Sequence, residues 1–305
     1  MKKKKKKRAL AREGKDTFMK NQDINIRDPF VFCEGGVYYM YGTRAANFGI
    51  ATGGFDVYVS TDLENWSDPI PCCDTVAAGL NFAANWAPEV HKVGDAYYMF
   101  ATFTREDCKM RGTFALKADN PKGPFLRHTD VLTPVDWECL DGTLYVAKDG
   151  TPYLVFCHEH TQIIDGTVCY VQLSEDLSRP VGEAVTLFRA SEPYWADETE
   201  PDVHRVTDAP FFYRTKTGEL IMTWSTFVGG KYAVVAVRFK DGEIGTEFEH
   251  IDPIFRDDGG HCMIFKGLDG KEYMTFHTPN TPGSERPTFR LVTDLGDHIE
   301  VEGRA

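Results

Sequence analysis

Apolar and polar residues alternate along this chain in short runs, each closed by a glycine-marked turn, and one plan returns five times. Each unit opens on a small residue or proline, runs through an apolar strand, turns, and comes back along an aromatic strand. The first goes from Asp28-Pro29-Phe30-Val31-Phe32 through Gly35-Gly36 to Val37-Tyr38-Tyr39-Met40-Tyr41. The second goes from Ala87-Pro88-Glu89-Val90 through Gly94-Asp95 to Ala96-Tyr97-Tyr98-Met99-Phe100. The third starts at Asp141-Gly142 and turns at Asp149-Gly150; the fourth starts at Asp208-Ala209-Pro210 and turns at Thr217-Gly218; the fifth starts at Gly260-His261 and turns at Asp269-Gly270. Each unit reads as a β-hairpin, with glycine where the turn demands positive φ. The strands are rich in the aromatic and β-branched residues that a pleated, half-buried surface prefers.

Successive units start about 50–70 residues apart, room for four short strands and their loops, which is the plan of a propeller blade. Helical periodicity over any length is absent. The pattern predicts an all-β, five-bladed β-propeller formed as one domain over residues 23–305, behind a basic tail over residues 1–22. A β-sandwich accommodates the strands but gives no reason for a fivefold repeat of this length.

In a propeller the first strand of each unit is innermost, so its opening residue stands at one mouth of the axial channel. Asp28, the stretch from Ala87 to Glu89, Asp141, Asp208 and His261 are therefore expected to converge on one cavity. Asp-Pro and Asp-Gly pairs are ordinary turn residues, but turn chemistry does not require an acid at the same inner position. Crowded carboxylates push one another's pKa values apart. Glycoside hydrolysis uses that division, one group protonating the leaving oxygen and another activating water.

Composition narrows the partners. The net charge of −12 argues against binding a nucleic-acid backbone, and no stretch approaches the ~20 apolar residues of a membrane span. The run from Lys2 to Arg8 is not followed by the apolar segment of a secretory signal. The eight cysteines show neither CxxC pairs nor zinc spacing, as expected of free thiols in a cytoplasmic protein. A small carbohydrate is the expected partner.

The motifs Ile26-Arg27-Asp28-Pro29, Asn85-Trp86-Ala87-Pro88-Glu89, Leu140-Asp141-Gly142, Thr207-Asp208-Ala209-Pro210 and Gly259-Gly260-His261, in order and in phase, resemble glycoside hydrolase family 43. That family comprises propeller arabinofuranosidases, arabinanases and xylosidases. The resemblance implies inverting release of terminal α-L-arabinofuranosyl or β-D-xylosyl units. Asp28 would be the general base, Asp141 the carboxylate that orients and tunes the acid, and Asp208 the acid, with base and acid roughly 6.5–9.5 Å apart. The family usually carries Glu-Gly-Pro at the third position; the shorter Asp208 leaves Glu200 and Glu159 as alternative acids. His261 resembles a last-blade histidine beside a central cation, often calcium, although calcium prefers oxygen ligands; no cofactor is required for the reaction itself. Trp86 is expected to stack on the sugar and Glu89 to bond its hydroxyls, with His158 and Arg286 further substrate-binding candidates; Trp137, Tyr194 and Trp195 are weaker ones. A phosphorylase, or a carbohydrate-binding propeller without turnover, are the competing readings.

Overall fold

The computed structural model describes residues 18–44, 53–80, 84–196 and 203–303. Five antiparallel sheets follow one another along the chain and form the blades of a β-propeller. Their innermost strands are Ile26–Glu34, Asn85–Val93, Cys139–Val146, Asp208–Arg214 and Gly260–Lys266. Each blade then steps outward by hairpins, as in the fourth, where Leu220–Val228, Lys231–Phe239 and Phe248–Phe255 follow the inner strand. The first blade gains an extra edge: Met19 and Lys20, expected in the tail, pair with Trp66 and Asn65. Residues 1–17, which hold the lysine run, lie outside the described residues.

Aromatic side chains fill the spaces between and within blades. Phe103 packs edge-on against Phe55 and Phe114, all three essentially without solvent exposure. Among the described residues no strand is shared between the first and last blades, and side chains join them there. Trp66 stacks on Phe289, the Arg27 guanidinium pairs with the fully buried Glu285 at 2.8 Å, and Asn25 Nδ2 donates to the carbonyls of Gly283 and Glu285. Arg286 belongs to this seam, with Nε donating to the Gln22 carbonyl at 2.6 Å. All eight cysteines are free thiols.

One irregularity recurs in every blade. Between Arg27 and Phe30, Trp86 and Glu89, Leu140 and Thr143, Asp208 and Phe211, and Gly260 and Met263, the inner strand spends one residue more than its neighbour. The extra residue lies in the left-handed region each time: Asp28 (φ 53°), Ala87 (47°), Asp141 (54°), Ala209 (53°) and His261 (55°). Non-glycine residues pay of order 1 kcal/mol or more for that conformation, and such residues cluster at functional sites. A bulge also re-aims side chains, here at the channel mouth.

The bulges correct the expected phase of the repeat. Asp28 and Asp141 occupy the bulge itself, whereas Asp208 stands one residue earlier, equivalent to Arg27, Trp86, Leu140 and Gly260. The residue in phase with the two aspartates is Ala209. Pro210 aligns with Pro29 and Pro88, so the Ala-Pro pair carried the register, not the Asp.

Candidate active site

Each bulge turns a backbone N–H out of the ladder, and a buried N–H must find an acceptor. Four of the five are held by a side chain at the end of the preceding blade's second strand. Ala87 N–H donates to Thr43 Oγ1 (2.8 Å), Asp141 N–H to Thr102 Oγ1 (2.9 Å), His261 N–H to Ser225 Oγ (2.8 Å) and Asp28 N–H to His277 Nδ1 (3.2 Å). At the fifth the equivalent residue is Cys157, a poor acceptor, and the Ala209 N–H donates to Asp141 Oδ2 instead, at 3.0 Å. The exception has a chemical result: Asp141 is tied to the residue after Asp208.

A cavity of about 360 Å³ opens at this end of the channel, and Asp28, Asp141, Asp208, His261 and Trp86 all line it. Arg27, Arg111, Glu159, His160, Tyr232 and Asn280 do so as well. Asp28 receives a hydrogen bond from Thr43 Oγ1 at 2.6 Å and faces His261 Nδ1 at 3.1 Å. The same nitrogen lies 3.7 Å from Asp141 Oδ2, so one imidazole lies between two carboxylates.

These contacts separate the protonation states. Burial alone would raise Asp28, but the adjoining His261, with help from Arg27, holds it well below the usual carboxylate range. Burial works against a charge on His261 too, yet Asp28 and Asp141 push its imidazole up to about 9. Burial raises Asp141 to about 6, His261 pulling down and Asp28 pushing up. Asp208 goes furthest: enclosure by protein, then the charges of Asp141 and Glu159, push it up to about 8. At neutral pH the site therefore holds an ionised Asp28 and a protonated Asp208. His277 is depressed by burial to about 3 and is neutral; because its Nδ1 accepts from Asp28, its Nε2 carries the hydrogen and donates to Asn280 Oδ1 at 3.2 Å.

Asp208 Oδ2 accepts from the Tyr232 hydroxyl at 2.9 Å. Glu159 is buried against a cation instead: Arg111 bonds it at 2.6 Å while also reaching Glu138 at 2.5 Å. Glu200 lies outside the described residues.

Three of the expected substrate contacts do not reach the cavity. Glu89 lies three residues beyond Trp86, past the bulge, and its carboxylate meets His91 Nε2 at 3.2 Å deeper in the channel. His158 is buried under Trp137, ring on ring at 4.3 Å, and bonds Gln162. Arg286 is engaged in the seam between first and last blades. Tyr194 is exposed and bonds Asp252, and the Trp195 indole donates to the Ile251 carbonyl. Arg27, Arg111 and Tyr232 had not been singled out; only Arg27 had a local signal, its place beside Asp28.

His261 by itself offers little to a directly ligated ion. Its Nδ1 faces Asp28 and Asp141, which leaves Nε2, and no group of three His, Cys, Asp or Glu side chains is placed to hold a metal among the described residues. Calcium in particular asks for six to eight oxygens.

Comparison with known proteins bears on the fold and the family. The structure is similar to an endo-arabinase from Bacteroides thetaiotaomicron, with 35% identity, 90% of this chain and 96% of that one covered, and a TM-score of 0.79. It also superposes on a thermostable family-43 glycoside hydrolase (22% identity, 92% and 94% covered, TM-score 0.80). An α-L-arabinofuranosidase from Lactobacillus brevis shares the fold at 16% identity (90% and 95% covered, TM-score 0.70). No curated protein matches the chain. The profile of glycosyl hydrolases family 43 matches residues 23–295, and the chain belongs to that family.

Proposed function

We propose that the protein hydrolyses pentose glycosides with inversion, releasing terminal α-L-arabinofuranosyl or β-D-xylosyl units. Asp28 takes a proton from water as its oxygen attacks the anomeric carbon. Asp208 gives its proton to the departing glycosidic oxygen as that bond breaks, and the carbon inverts. Asp141 sits between them, held by His261 on one side and holding the Ala209 N–H on the other. Its charge also works against ionisation of Asp208.

The observation that carries this reading is the pairing of an ionised Asp28 with a protonated Asp208 on one cavity. The contacts favour Asp208 over Glu159 as the acid. A carboxyl that accepts from a neutral phenol can keep its proton, whereas Glu159 is held by a guanidinium. Phosphorolysis finds less support, because Arg27 and Arg111, the arginines at the cavity, are both engaged by glutamates.

Arabinofuranosides come first among the substrates because the structure at 35% identity is that of an endo-arabinase. That likeness also favours a second reading, cleavage within an arabinan chain. Assay on 4-nitrophenyl α-L-arabinofuranoside, the β-D-xyloside and linear arabino-oligosaccharides separates the two. Monosaccharide as the first product supports terminal release; mixed oligomers support internal cleavage. Turnover unchanged by Asp28→Ala would end the mechanism proposed here.

A further inference from the structure

At the position before the bulge, four blades present a side chain to the cavity, namely Arg27, Trp86, Leu140 and Asp208; the fifth presents Gly260. The reason is Tyr232. A Cβ on Gly260 would lie 2.3 Å from Tyr232 Cε1 and 2.6 Å from Cδ1, so the phenol ring occupies the volume a fifth side chain would fill. The ring is buried and lies nearly parallel to His277, 5.7 Å between centroids at 24°. His277 in turn accepts from the Asp28 backbone, while the Tyr232 hydroxyl donates to Asp208. Base and acid thus rest on the two members of one stacked pair.

We propose that Tyr232 is the positioning residue for the general acid in this chain: its hydroxyl anchors Oδ2 of Asp208, leaving Oδ1 to carry the proton toward the leaving group. The proposal rests on Asp208 being the acid. An aspartate has one side-chain torsion fewer than a glutamate and less reach, so a fixed carboxyl plane matters more to it. The His277 stack fixes the phenol, and Gly260 makes room for it. The hydroxyl also bonds the ionised form of Asp208, so it limits how tightly the proton is held.

The test is Tyr232→Phe in the full chain, with a thermal melt to confirm folding. Two arabinofuranosides are compared, one with an alkyl leaving group that needs protonation and one with dinitrophenolate, which does not. A misplaced acid should cost about 10–100-fold in kcat on the first, at least tenfold more than on the second, with little change in KM. The alkaline limb of kcat/KM should move to higher pH, since a donor to the carboxylate is lost. Gly260→Ala, which pushes on the ring, should reproduce the split between leaving groups. An equal loss on both substrates with the pH profile unmoved would overturn the proposal, as would no loss on either. Asp208→Asn separates this from failure of the acid assignment. If that variant keeps full activity on the alkyl substrate, the acid is elsewhere. If it is impaired, adding Tyr232→Phe to it should change nothing more, and a further loss there would mean that Tyr232 does not act through Asp208.

Discussion

Replacing His261 by asparagine removes one positive charge from the cavity and disturbs little else. Asparagine tolerates the left-handed backbone that His261 adopts at φ 55°, and its Nδ2 can stand where Nδ1 now faces Asp28. At an effective dielectric of about 20, a unit charge 3.1 Å from the Asp28 oxygen contributes about 5 kcal/mol, or roughly 4 pH units. At the 3.7 Å separation from Asp141 the same arithmetic gives about 4.5 kcal/mol, or roughly 3 pH units. Water entering the vacated space will screen part of this, so a shift of at least about 1 unit is expected. The sign follows from which form the charge favours. His261 stabilises both carboxylates ionised; without it they keep their protons to higher pH, and a protonated Asp28 cannot accept one from water. The acid limb of kcat/KM, which in the parent protein should follow Asp141 near 6, should therefore rise above about 7. The assay is kcat/KM on 4-nitrophenyl arabinofuranoside from pH 4 to 10. An acid limb within about 0.3 unit of the parent, in a variant that melts normally, would refute the idea that this imidazolium holds Asp141 ionised.

Four further outcomes follow from the contacts. Asp208→Asn should abolish hydrolysis of alkyl arabinofuranosides and, as the folded state holds the Asp208 proton up to about 8 while the unfolded chain releases it near 4, should stabilise the protein more at pH 8 than at pH 5 in denaturant titrations. Thr43→Val removes both the donor to Asp28 and the acceptor of the Ala87 N–H, and should cost about 1–3 kcal/mol in denaturant titrations. Arg111→Met leaves Glu138 and the buried Glu159 without the guanidinium that pairs them and should lower stability by about 3 kcal/mol in denaturant titrations. Phe103→Ala empties the contact between Phe55 and Phe114 and should cost about 3–5 kcal/mol without touching the pH profile.

The propeller was legible because its hairpins are local: alternation, turn glycines and aromatic return strands recur at a blade's spacing. Asp28, Asp141 and His261 were legible for the same reason, each sitting on the bulge of its own repeat. Asp208 was found in the wrong phase, since an Asp-Ala-Pro run looks like Asp-Pro until Ala209-Pro210 is set against Ala87-Pro88 and the bulge assigned to Ala209. Glu89 misled because it follows a bulge; after an extra residue, alternation no longer tells which side chains reach the mouth. Tyr232 and Arg111 carry no local signal at all. They come from the third strand of their blades, and only the packing of one blade on the next brings them to the cavity. Arg286, a further candidate for substrate binding, instead donates to the Gln22 carbonyl, a partner at the other end of the chain that no local pattern announces.

Proton NMR of the anomer first released from an α-L-arabinofuranoside tests the two-carboxylate mechanism most directly. Inversion predicts β-L-arabinofuranose at early times, with the α-anomer growing in only as the sugar mutarotates. An α-anomer formed first would require a covalent glycosyl-enzyme step, and would contradict the assignment of Asp28 as a base acting through water.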